Sequence, residues 1–356
     1  MSNVITLKHP LRRLPMAQRW RALPRLFAEQ RRRRENVFWL KENAELLGIL
    51  ASTGAGVNEA VCEVYAPIYE DLPDTLTFFP QYYRFHLSIC LDLEDLGMPG
   101  RHGSRLSAWV AQQGLPEAEM SDLQRAEARR LLARRGVAAP ADATLTDRLH
   151  AFMARSETFA VPNKKAAYEL THIVFYLSEY GARDPHLSAA ALRSLNFAGT
   201  LAWLDQNTDL LAEICVALRY AGAEPPAAWE AMVIADLEAA QVRSVDNDFA
   251  QDDYHIFLMA AWLSALNGAK ATGTVLPHDG CTFHMRQPDF TPMRQLSAYL
   301  LAQGAARDGD WDRMGTRLAQ RFDRLTLQII AAAEQDCDDF GRFFSDFARA
   351  ELVVSA

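Results

Sequence analysis

A chain of 356 residues, 49% hydrophobic and 23% charged, is too apolar to be disordered throughout and longer than one core usually requires, so it predicts two domains or one repeat array. The formal net charge of −8 hides an asymmetry: residues 1–35 hold Lys8 and nine arginines against Glu29 and Glu35, a net +8, which leaves the remainder near −16. The five cysteines (Cys62, Cys90, Cys215, Cys281, Cys337) are scattered, odd in number and without a CxxC pair, which argues against a disulfide framework and for a reducing, cytoplasmic setting.

Residues 1–35 read as a basic N-terminal arm or helix. No apolar core of a secretory signal stands there. Trp20, Leu23, Leu26 and Phe27 recur at helical spacing with arginines between them, the pattern of a solvated helix face. The run Arg31–Arg34 could instead meet nucleic acid or an acidic membrane. Without an aromatic–glycine RNA signature or a zinc finger, nucleic acid is the disfavoured partner.

Residues 36–160 and 161–356 then read as two helical halves. Apolar residues return every three or four positions at Leu106/Val110, Leu149/Phe152/Met153 and Leu318/Phe322/Leu325/Ile329, while β-branched alternation is nearly absent. Gly97, Gly136, Gly181, Gly222 and Gly268 each follow a periodic stretch, the place where a helix stops on a left-handed residue. The fold class expected is therefore all-α: antiparallel helical hairpins in a repeat-like array, either an α-solenoid or an α/α-toroid.

Two echoes support repetition. His86, His172 and His255 each follow a tyrosine and are separated by 86 and 83 residues. Trp39-Leu40-Lys41-Glu42-Asn43-Ala44-Glu45-Leu46-Leu47 matches Trp203-Leu204-Asp205-Gln206-Asn207-Thr208-Asp209-Leu210-Leu211 at an offset of 164. Units of about 40 residues would give about eight hairpins. Residues 136–163 look like a junction, and 268–292, with three glycines and three prolines, like an irregular loop of the kind that is often functional. The longest apolar run, Ile256–Leu263, has eight residues, against roughly 20 for a membrane span.

The candidate site residues fall in the second half. Tyr168, His172 and Tyr176 stand four apart and share one helical stripe, so the imidazole could serve as ligand or general base with tyrosines orienting it. An interhelical hydrogen-bonded layer would use the same residues. Asp209 and Glu213 share the next face, after Asn207. Either they cap a helix, or with two histidines they form an acid/base group or bind a divalent metal, zinc or iron. Tyr254-His255 follows the helix-start signal Asp252-Asp253. His278, Cys281 and His284 in the 268–292 loop are chemically plausible metal ligands at a spacing that matches no recognised zinc module. Nucleotide loops, HExxH and GxSxG are absent.

The series Tyr168-Glu169-Leu170-Thr171-His172 through Tyr176 and Gly181, then Asp209-Leu210-Leu211-Ala212-Glu213, then Tyr254-His255 resembles a pattern of uncharacterised bacterial helical proteins, over about residues 165–265. That resemblance implies no activity. Asp279-Gly280-Cys281 is similar to the Asp-x-Cys metal pair of α/α-toroid enzymes such as zinc-dependent prenyltransferases, outside their helical context. The expectation is a protein- or ligand-binding scaffold with a central polar pocket lined by Tyr168, His172, Asp209, Glu213, Tyr254 and His255. The alternative is a metal-dependent or acid/base enzyme acting through His172, Asp209, Glu213 and His255 on a small molecule or peptide.

Overall fold

The computed structural model of the protein describes residues 13–245, 251–277 and 280–350. Among these, eighteen α-helical segments stand against four strands of three or four residues, so the fold is all-α. No helix among the described residues is long and apolar enough to cross a membrane. The five predicted stop glycines all have positive φ. The chain divides into two compact units, each drawn from separated stretches: 1–115, 131–137 and 234–286 form the first, and 116–130, 138–233 and 287–356 the second.

The first unit is built around the helix Val37–Thr53. The Asn36 side chain accepts from Phe38 N to start it, and Gly54 in the left-handed region ends it. Leu46, Leu47 and Leu50 form its buried stripe, and it packs against the helices Tyr83–Asp95 and Tyr254–Leu266. The helix Asn58–Phe78 lies against the Tyr83 helix, and Tyr65 from it donates to Asn43 Oδ1.

Two antiparallel ladders complete this unit. Strand β1 (Arg13–Pro15) pairs with β3 (Thr272–Thr274), and β2 (Gln241–Ser244) pairs with β4 (Cys281–His284). The 268–292 stretch is thus partly regular, contrary to the expectation from its glycines and prolines. Gly273 has a steric role in β3: a Cβ there would fall 2.2 Å from Arg19 Nη1. Arg19 itself is 2% exposed. Its guanidinium stacks over Phe257 at 5.0 Å and touches Met16 Sδ at 3.7 Å, and burial lowers its pKa to about 10.

The second unit is all helical among its described residues. Helices Lys164–Leu177, Ala189–Leu204 and Thr208–Tyr220 pack on one another. Leu170, Val174, Phe197, Leu211, Ile214 and Phe343 are among its fully buried side chains. Gly199 lets two groups approach closely, since a Cβ there would fall 2.1 Å from the Trp229 ring. Asn163, Ser188 and Asn207 cap the three helices by accepting from backbone N–H groups, as short polar side chains do at helix starts.

Candidate functional site

In the second unit the structure brings Tyr168, Thr171, His172, Asp209 and Glu213 together. Residues 168, 171 and 172 lie within one helical turn of the Lys164 helix, and 209 and 213 are one turn apart on the Thr208 helix packed against it. Tyr168 OH donates to Asp209 Oδ2 at 2.6 Å. Thr171 Oγ1 lies 2.5 Å from Glu213 Oε2 and 2.9 Å from the Tyr168 carbonyl, so its single proton has two acceptors. Burial, followed by the Asp209 charge, pushes the Tyr168 phenol well above its ordinary value, which keeps it a donor.

The imidazole of His172 has a defined orientation. Its Nδ1 is 2.7 Å from the Tyr168 carbonyl oxygen and 3.6 Å from Glu213 Oε2. A carbonyl can only accept, so Nδ1 carries the hydrogen, and in the neutral ring Nε2 bears the lone pair. That nitrogen makes no hydrogen bond to any described residue. The His172 side chain is 35% exposed while that of Glu213 is 1% exposed. Phe175 and Tyr176 flank the ring, with centroids 5.6 and 6.1 Å away. Asn207, named from sequence beside the acids, spends its side chain on the helix cap at Leu210 N.

Tyr254 and His255 belong to the first unit, on Glu45. Tyr254 OH donates to Glu45 Oε2 at 3.0 Å, and His255 Nε2 lies 3.8 Å from Oε1. Lys41 Nζ approaches the same oxygen at 3.6 Å. Burial first, then Glu45 and Glu42, raise the Tyr254 phenol. The helix-start signal Asp252-Asp253 serves a different end. Asp253 stands at the N-cap position, but neither side chain caps the helix: Asp253 Oδ2 accepts from Met285 N, and Asp252 Oδ2 from Phe283 N.

Asp252 also holds the feature that sequence reasoning missed. Arg31 Nη1 and Nη2 each lie 3.0 Å from an Asp252 oxygen, Nε lies 3.1 Å from Glu42 Oε2, and Nη1 donates to the Cys281 carbonyl at 2.6 Å. The side chains of Arg31 and Asp252 have no exposed surface. Phe27, Tyr254 and Phe283 rings surround the guanidinium at 4.9 to 5.6 Å. Burial works against this charge, but the hydrogen bonds and charges of Asp252 and Glu42 outweigh it and raise the arginine pKa. Arg32 adds a second contact to Glu42, at 2.5 Å. The solvated face expected for this basic segment is therefore wrong at Arg19, Arg31 and Arg32, all buried. A signal for it existed: Glu42 and Asn43 occupy the same helical stripe as Trp39, Leu46 and Leu50, where a solvated polar residue has no place.

Of the proposed metal trio, His278 lies outside the described residues, as does Asp279 of the Asp-x-Cys pair. Cys281 and His284 are three apart on β4 and so project to opposite faces. Burial pushes the Cys281 thiol up to about 11 against the opposing pull of Arg31, and His284 Nε2 pairs with Thr282 Oγ1 at 3.0 Å. Among the described residues no group of three or more His, Cys, Asp or Glu side chains is placed to hold a metal ion.

The chain belongs to a family described as a domain of unknown function (DUF6902), matched over residues 1–350. No curated protein and no solved structure matches it. Membership in a family of unknown function agrees with the expectation of an uncharacterised family, and the family description names no activity. The chemistry must come from the side chains.

Proposed function

We propose that the protein is a binding scaffold of helical hairpins whose recognition element is the His172 edge of the second unit. The observation that carries this reading is an imidazole anchored through Nδ1 whose Nε2 lone pair has no partner among the described residues. A ligand or protein that offers a hydrogen-bond donor between the flanking aromatic rings would complete it. Tyr168, Asp209 and Glu213 then act as the frame, fixing ring orientation rather than touching the partner.

One observation favours a second reading, acid/base catalysis. The Glu213 carboxylate stands behind Nδ1 at 3.6 Å, where it would stabilise the imidazolium formed when Nε2 takes a proton. The first reading expects His172→Ala to fold with nearly unchanged stability, and NMR to show the His172 Nε2 resonance shifting when a partner is added. A His172→Ala variant that unfolds as readily as Glu213→Ala would sink both readings and make the ring a packing element.

A further inference from the structure

The first unit contains a cavity of about 360 Å³, room for about a dozen waters at roughly 30 Å³ each and within the size range of small-molecule sites. It opens beside the start of the Val37–Thr53 helix, and Val37, Leu40, Leu72 and Phe79 supply apolar wall. His86 also lines it. This residue is 4% exposed, and its ring makes no hydrogen bond to any described residue, with Nδ1 wholly enclosed and unpartnered. Native interiors rarely leave a buried imidazole unsatisfied, because its polar atoms have given up water for nothing. An orphaned ring in the wall of an open apolar cavity marks a group awaiting a ligand.

We propose that this cavity binds a small neutral molecule with an apolar body and one hydroxyl group, which hydrogen-bonds to His86. The site involves none of the residues of the His172 edge, so it stands apart from that reading. Three observations set the ligand class. The walls are mainly apolar, which selects the body. His86 Nδ1 is enclosed, so the ligand meets Nε2, and a hydroxyl can answer that nitrogen whether it donates or accepts. The mouth disfavours an anion: Glu35 lines it, and the Arg34 guanidinium there is already paired with Asp71 at 2.8 Å.

The probe is p-cresol, compared with toluene and 4-methylbenzoate, each titrated into the full-length protein and followed by ligand-observed NMR. The expected result is millimolar or tighter binding of p-cresol, with both analogues weaker by about fivefold or more, the value of one hydrogen bond. His86→Leu should remove that preference while keeping or improving toluene binding. Val37→Trp, a substitution at a half-exposed position of the mouth, should abolish binding of both and keeps the test open if His86→Leu does not fold. Equal affinity for toluene and p-cresol, tighter binding of the carboxylate, no binding at all, or indifference to Val37→Trp would each overturn the proposal.

Discussion

Both units pair a tyrosine hydroxyl with a carboxylate beside a histidine, yet they leave the histidine in different states. In the first unit Glu45 receives Tyr254, faces His255 Nε2 and is approached by Lys41. In the second, Asp209 takes Tyr168 while a separate buried acid, Glu213, stands behind His172, whose Nε2 meets no hydrogen-bond partner among the described residues. The first arrangement gathers Tyr254, His255 and Lys41 around one acid. The second divides the work between two acids and keeps one nitrogen in reserve. Residue types alone do not make a site; what matters is whether the charges are spent internally.

The largest expected effect tests the first unit. Arg31→Met would leave Asp252 buried without its cation and Glu42 with Arg32 alone, and removing one partner of a buried ion pair typically costs about 3–5 kcal/mol. Urea unfolding should show that loss. A cost below about 1 kcal/mol would mean that the buried carboxylates Glu42 and Asp252 do not depend on Arg31.

Next comes pH. Burial, with a contribution from the nearby Arg34 charge, lowers the His86 pKa from 6.5 to about 4. The folded ring therefore refuses a proton that the unfolded chain accepts, so stability is unaffected above about pH 6.5 and falls as pH drops from 6.5 towards 4. The slope is at most about 1.4 kcal/mol per pH unit, and His86→Leu should remove this contribution in unfolding curves taken at pH 7 and pH 5.

A smaller contrast separates the two acids. Glu213→Ala, which takes a buried carboxylate from Thr171 Oγ1 and leaves that hydroxyl only the Tyr168 carbonyl, should cost about 2–3 kcal/mol, the worth of a hydrogen bond to a charged group. Glu45→Ala, at a carboxylate 22% exposed, should cost about 1 kcal/mol or less. Equal losses would erase the distinction between the two units. The smallest effect belongs to His172→Ala, about 0.5 kcal/mol by thermal unfolding, as at other half-exposed positions.

The helices were legible because their apolar residues recur with the helical period, and their ends because Asn, Ser and Gly stand where caps and stops are needed. The strands were not. Arg13-Leu14-Pro15 and Thr272-Gly273-Thr274 are too short to show alternation, and each finds its partner some 260 residues away along the chain. The site was half legible. Spacing of four placed Tyr168 and His172 on one face and Asp209 and Glu213 on another, and the two helices do pack. Spacing could not foretell which acid each would meet, nor that Tyr254 takes Glu45. The tryptophan echo also conceals a difference: residues 39–47 lie within one continuous helix, whereas 203–211 span a break at Asp205–Asn207. The burial of Arg31 was masked because a run of four arginines has the composition of solvated surface, and only Glu42 in the apolar stripe of its helix pointed to it.

The Arg31 cluster sets a clock on biosynthesis. Its bonds to Asp252 and to the Cys281 carbonyl close loops of 221 and 250 residues. Translation proceeds at about 5–20 residues per second, so Arg31 and Glu42 leave the ribosome tens of seconds before Asp252 exists. During that interval the first 115 residues lack the segment that completes their core, and Arg31 stays hydrated or borrows a partner. The unit nearest the N-terminus thus waits for residues 234–286 before its core can close, and the second unit waits longer still, for 287–356.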